Sequence, residues 1–533
     1  MKNFVMHAQR SWTSIYILTI ITYFVSHGLM LTVYGAWWDD MLIWNVSQET
    51  FEEFQGPNSF NNPFLYYTIK NINNISSTQL RMFVFRIVPF LCWLISLTCF
   101  YSIVKQVTLD KTYTLYSSLF AASCGLNKCM VLICCYHYTI SIMLFMIGLV
   151  FYVKDYYKSC MGYRILTALL WLFSLLIWRT AVLVVPFLIV FTSTLKVEYK
   201  RNKIVYLKEL ASFLIRRYWS VLLALIFFTI LYTTILSPKG VYASYYSLSF
   251  KNIILSPITT LSCCFSIIIN YITSLLNILA SAGLSGLKRI IAILMIVGVL
   301  FLITFHKNKP IVPKTAFLWV CIAIFYFSIM PQLLIDSYYA INIDGYKSRI
   351  SALSVYPISL IIGFFVCRTS FTARTVIGSF IVCLSMVYSV TTYLNYSKGW
   401  AKNEALCTIF QNHNLNGKKI RIIDNSQTYN PFVSEIYRYY DYEGCARLAY
   451  GVFSKTRCID YYDQDVMRNF IKPDYYLYID VKEKSPFSIW GYIVNRYSNK
   501  IEYNRIINNM LMYRLVTNEE FNNLYPQCAI SIK

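Results

Sequence analysis

The sequence predicts a polytopic α-helical membrane protein of about eleven transmembrane helices ending in a small C-terminal α/β soluble domain, and three observations predict it. Of the 533 residues 57% are hydrophobic, 17% aromatic and only 14% charged, with a mean hydropathy of +0.49, a balance that excludes a large soluble enzyme. Apolar runs near the bilayer-spanning length recur along residues 1–394,. Past Tyr393 the chain becomes a polar mix with turn formers such as Asn416-Gly417, and residues 395–533 are long enough for one small domain,. The net charge of +23 lies largely in short clusters between apolar runs, where it sets topology and meets anionic headgroups of membrane lipids. No nucleic-acid partner is expected.

The spans follow from the positive-inside rule. Lys2 and Arg10 precede an apolar stretch over 12–33 with no small-residue cleavage site, which predicts a retained first helix and an extracytoplasmic loop over 34–80,. A second span over 82–104 returns to Lys105 and Lys111. Spans over 113–133 and 138–153 form a hairpin turning at residues 135–138, and the stretches 165–178 and 181–195, both short, meet at Arg179. That arginine is expected just below the outer surface, facing protein or water. Lys196 to Arg217 form a basic cytoplasmic loop, and 219–236 crosses outward. Residues 258–284 read either as a span or as a pair of helices at the outer surface; the second choice leads through 290–305, 317–335, 351–366 and 376–394 to an extracytoplasmic C-terminus, whereas a twelve-span version inverts it.

In the C-terminal domain, 419–424 and 475–480 are expected as strands and 464–471 as a helix,. Cys407, Cys445, Cys458 and Cys528 form an even set, read as one or two disulfides in an oxidising compartment. No cluster has metal-ligand spacing, and no Walker, Rossmann or nucleophile-elbow pattern occurs, so neither a metal nor a cofactor is expected.

Chemistry is expected at Asp39 and Asp40. Eleven acidic residues occur in the first 394 positions, and five fall between Asp39 and Glu53. Carboxylates are costly near a bilayer, so a pair beside Trp37 and Trp38 at a membrane exit is a functional candidate; the plainer alternative is a tryptophan anchor followed by solvated acids. Adjacent acids repel, which raises the pKa of one and makes it a better base. A base there can take the proton of an acceptor hydroxyl attacking an anomeric carbon, while cations stabilise a departing lipid phosphate. The candidates for that cation are Arg179, Arg349 and His137, with Arg81 and Arg86 in reserve. Trp37 and Trp38 are candidate sugar-stacking or anchoring residues. Residues 41–54 suit an amphipathic surface helix carrying Glu49, Glu52 and Glu53 on a solvated face, and the Asn-rich stretch 57–74 reads as a substrate-facing loop.

A first outer loop opening with Trp38-Asp39-Asp40, many spans and a soluble C-terminal domain resembles the GT-C superfamily of polyprenyl-phosphate-sugar glycosyltransferases, and within it the bacterial O-antigen glucosyltransferases of the serotype-converting type. The resemblance is one of whole-length architecture with a single compact motif. It implies metal-independent, inverting transfer of a sugar such as glucose from undecaprenyl phosphate to a lipid-linked O-antigen or other surface polysaccharide, at the periplasmic face of a bacterial inner membrane. One acid of the pair would be the general base, Asp39 first and Asp40 second. A surface-polysaccharide polymerase, and behind it a lipid-linked sugar transporter or flippase, are the alternatives.

Overall fold

The computed structural model describes residues 2–44, 46–47, 51–52, 63–198, 203–236, 250–281, 286, 290–291, 293, 313–335, 348–349, 351–432, 436–460, 473–482 and 487–524. Glu49, Glu53, Cys528 and the predicted helix over 464–471 lie outside them. The described chain is mostly helical, and seven of its helices are long and apolar enough to cross a membrane.

In chain order the helices of the membrane part are α1 (Lys2–His27), α2 (Pro63–Asn73), α3 (Thr78–Thr108), α4 (Lys111–Ser123), α5 (Tyr136–Lys158), α6 (Met161–Ile177), α7 (Val184–Thr194), α8 (Lys203–Thr234), α9 (Phe250–Ser281), α10 (Thr315–Ile335), α11 (Val355–Cys367) and α12 (Phe371–His413). α6 and α7 are short, as expected, and a 3₁₀ turn, Arg179–Ala181, joins them.

Four sequence expectations need correction. The third span does not run to residue 133: α4 stops at Ser123, about 20 Å long at 1.5 Å per residue, and residues 124–135 continue as irregular backbone with two 3₁₀ turns. Non-helical backbone at such depth needs protein around it, and Thr112 to Ser123, Lys128, Ile133 and Cys134 are all buried. Accordingly, residues 135–138 are not an exposed hairpin tip, because Tyr136, His137 and Tyr138 form the buried first turn of α5. Nor do residues 41–54 begin as a surface helix. Met41, Ile43 and Trp44 are buried, and the Trp44 ring packs edge-on against Trp400 at 5.8 Å. Residues 250–281 form one continuous helix rather than a pair.

Beyond α12 come β1 (Lys419–Asp424), α13 (Tyr439–Tyr450), β2 (Arg457–Asp460), β3 (Tyr475–Val481), α14 (Ile489–Ser498), α15 (Lys500–Asn508), β4 (Leu511–Thr517) and α16 (Asn518–Leu524). The sheet order is β2-β1-β3-β4, with β1 parallel to β2 and β3 and β4 antiparallel to β3. A parallel β1–β2 pair requires a crossover, and α13 lies within it. Ile420, Ile422, Leu477 and Ile479 are buried. The expected disulfides are absent among the described cysteines: Cys407, Cys445 and Cys458 are free thiols, and the Cys407 Sγ–H donates to the Cys445 carbonyl at 3.3 Å.

α12 runs without interruption from the bundle into this domain. Its buried Lys402 donates to Asp424 Oδ2 at 2.6 Å and Asn430 Oδ1 at 2.7 Å. Burial raises the Asp424 pKa, but Lys402 and the Ser426 hydroxyl and N–H outweigh it and hold the carboxyl below its ordinary value. Gly399 is required by the same docking, since a Cβ there would meet Pro431 Cδ at 2.5 Å. The domain therefore sits at the end of the bundle where α1 exits into the first loop. The opposite end carries Lys105 and Lys111 over Trp12 and a buried Asp155 held by Arg164 at 3.0 Å and Arg217 at 3.2 Å.

Candidate active site

The loop leaving α1 is held by Arg86 of α3. This fully buried guanidinium donates from Nε to the Val33 carbonyl at 3.0 Å, from Nη1 to Val131 at 2.5 Å and from Nη2 to Gly35. It is thus a backbone clamp joining the first loop to the irregular segment after α4. Gly35 has φ +142°, and a Cβ there would lie 2.5 Å from the Trp400 ring, so only glycine fits,. Arg81, the other reserve, donates to the Asn73 carbonyl and Thr78 Oγ1 at the start of α3.

Trp38 has φ +52°, unusual for a bulky side chain,. Its N–H donates to Asp441 Oδ1 at 2.8 Å, and Asp441 Oδ2 accepts from Arg438 N at 2.9 Å, so one carboxylate of α13 both caps its own helix and fixes the first-loop turn. Arg447 Nη2 donates to the Met41 carbonyl at 2.6 Å, and Gly444 lets α13 approach so closely that a Cβ would meet Met41 Sδ at 2.6 Å. The turn Trp38–Leu42 is therefore closed by the C-terminal domain.

Its geometry separates the two aspartates. Asp40 points inward and is fully buried; Oδ2 accepts from Ile133 N at 3.0 Å and Oδ1 from Cys134 N at 2.8 Å. Burial raises its pKa to about 6, partly opposed by those two N–H groups and by Arg86. Asp39 is half-buried, and among the described residues none donates a hydrogen bond to its carboxylate. Burial raises its pKa too, with Arg349 as the opposing cation.

Arg349, itself buried, also acts electrostatically on His137. The His137 ring lies 4.5 Å from Tyr138 and 4.9 Å from Trp178, and the guanidinium of Arg179 sits 5.5 Å over the same Trp178 ring and 5.0 Å over Tyr232. Arg349 thus acts electrostatically on both Asp39 and His137, and Arg179 is linked to His137 through the Trp178 ring. Asp40 stands behind them in the wall. Trp37 and Trp38 are packing residues in this conformation. The Trp37 ring is fully buried against Tyr396, Trp400 and Arg86, and Trp38 stacks on Phe432 at 6.3 Å, so neither offers an open face to a sugar.

The comparisons add no identity. The chain matches no family model, no curated protein and no solved structure.

Two residues at this site escape sequence reasoning. Asp441 is close enough to Asp39 to feel its charge, and burial with that repulsion raises its pKa to about 7 against the pull of two N–H groups. Nothing local marks it among the acids of a polar domain. Lys128 lies buried with its ammonium 4.3 Å over Tyr388 and 4.9 Å over Phe432, the ring stacked on Trp38. Here a signal existed, since a lysine deep in a supposed span marks a break in it. Together the site offers a half-buried carboxylate of raised pKa within the electrostatic reach of Arg349, roofed by a second domain. Such an arrangement suits proton abstraction beside an anion.

Proposed function

We propose that this protein is an inverting glycosyltransferase that moves a sugar from polyprenyl phosphate to a lipid-linked polysaccharide on the extracytoplasmic face of a membrane. The observation that carries this reading is the division of labour between adjacent aspartates: backbone N–H groups occupy Asp40, while Asp39 takes no hydrogen bond from a described donor and feels the charge of Arg349. The acceptor O–H gives its proton to Asp39 as its oxygen bonds to the anomeric carbon. The bond from that carbon to the phosphate oxygen breaks, and the phosphate leaves with the electron pair toward Arg349 and Arg179. An arginine fork suits that dianion better than an ammonium.

The shared position of first loop and C-terminal domain supports an odd number of crossings, which puts both outside when Lys2 and Arg10 stay in the cytoplasm. A glucose donor, an O-antigen acceptor and a bacterial inner membrane are the finer form of the proposal, supported by the family resemblance. Purified protein in nanodiscs, given a synthetic polyprenyl-phosphate hexose and a lipid-linked oligosaccharide, tests it. Transfer that vanishes in Asp39→Asn is the expected result; transfer undiminished in that variant overturns the assignment.

A further inference from the structure

α14 carries two faces of different character. Tyr492 and Arg496 point into the protein: the Tyr492 hydroxyl donates to Glu404 Oε2 at 2.7 Å, and Arg496 donates to Glu404 Oε1 at 3.1 Å. On the opposite face Trp490, Val494 and Tyr497, spaced four and three residues apart, are 52%, 60% and 69% exposed, and Ile501 at the start of α15 is 85% exposed. Large apolar side chains in one stripe on a small polar domain need an environment other than water.

The position of the stripe says which. Arg496 lies 4.2 Å over the ring of Tyr34, two residues beyond the end of the first span at Thr32. Tyr34 also feels the charge of Arg81, which is in the first turn of α3. α14 is therefore held at the level where two spanning helices leave the apolar layer. Leu80 and Phe83 on α3 and Phe24 and Val25 on α1 are about half exposed. The stripe thus lies at the level where α1 and α3, both with outward apolar side chains, end their apolar stretches. Its Trp and Tyr are the residues enriched at membrane–water interfaces, and the exposed Lys500 follows at the headgroup side,.

We propose that α14 and the start of α15 lie in the outer headgroup region of the same bilayer, their apolar stripe sunk about 5–10 Å into the acyl boundary. The C-terminal domain is then a membrane-seated clamp: its foot rests on lipid while α13 closes over Trp38 and Met41. The proposal rests on the bundle crossing a membrane and is independent of sugar transfer.

The test uses the full-length protein in nanodiscs and the tryptophan emission of wild type minus that of Trp490→Phe. The expected result is that lipid brominated near the headgroup end of its chains quenches most of the Trp490 emission, while aqueous iodide leaves it nearly unchanged. Emission quenched by iodide and untouched by brominated lipid overturns the proposal. A tryptophan introduced by Val494→Trp in the Trp490→Phe background repeats the measurement one helical turn away. It is expected to behave in the same way, and water exposure there also overturns the proposal.

Discussion

The two ends of the bundle treat their buried acids in opposite ways. At the Lys105 end, Asp155 is 1% exposed and takes hydrogen bonds from Arg164 and Arg217, so its charge is matched by direct partners. At the first-loop end three carboxylates, Asp39, Asp40 and Asp441, crowd together, and burial raises all three pKa values. Two of these are satisfied by backbone N–H groups rather than by ion pairs, and the third by no described donor. The difference teaches that the first kind of acid holds helices together through ion pairs, whereas the second kind keeps a raised pKa, the property the proposed base needs. Perturbed groups clustered in one place mark function more often than structure.

The largest effect that would sharpen this comparison is loss of the unengaged acid. Asp39→Asn is expected to lower transfer by about 10²–10⁴-fold, the usual share of a general base, with insertion and thermal unfolding unchanged in detergent. Next comes the clamp behind it. Arg86→Met leaves three buried carbonyls and Asp40 without their cation and is expected to destabilise the protein by about 3–5 kcal/mol, visible as poor recovery of monodisperse protein; normal recovery and melting would break the assignment of Arg86 as a structural residue.

Asp155→Asn at the other end should cost less, about 1–3 kcal/mol, and any molecules that fold should transfer sugar at the wild-type rate. A fall in turnover without a fall in melting temperature would erase the contrast between the two ends.

The smallest effects are in pH dependence. The proposed mechanism needs Asp39 deprotonated, so kcat/KM should fall on the acid side at a pH above the ordinary 3.8 of an aspartate, because burial raises its pKa. A limb at or below that value would count against Asp39 as the base. Stability runs the other way for Asp441. The folded state holds its proton up to about pH 7 and the unfolded state to about 3.8, so between these values the folded form binds more protons and stability declines as pH rises,. Melting curves at pH 5 and pH 8 should show this slope in wild type, and Asp441→Asn should make it shallower, the remainder coming from Asp40 and Asp39, whose pKa values burial also raises.

Much of the membrane part is legible in the sequence because bilayer length and charge asymmetry are local properties. The first span, the short pair meeting at Arg179 and the change of character after Tyr393 all follow from composition. The break after Ser123 does not, because apolar residues 124–133 look the same to a hydropathy window whether they lie in a helix or in buried coil; only Gly125, Asn127 and Lys128 hinted at it. Likewise the strands β1 and β3 show their period, while the short α14 and α15 do not stand out.

By itself the sequence determined the helical membrane class, the acidic first loop and the identity of its aspartates, since hydrophobic length and the scarcity of charge are written residue by residue. Only the tertiary structure decided that Asp40 is spent on Ile133 and Cys134, that Asp39 comes within the electrostatic reach of Arg349, and that Asp441 arrives some 400 positions later to hold the turn. Those outcomes depend on which backbone groups lie within 3 Å of a carboxylate after packing, and no periodicity along the chain encodes that.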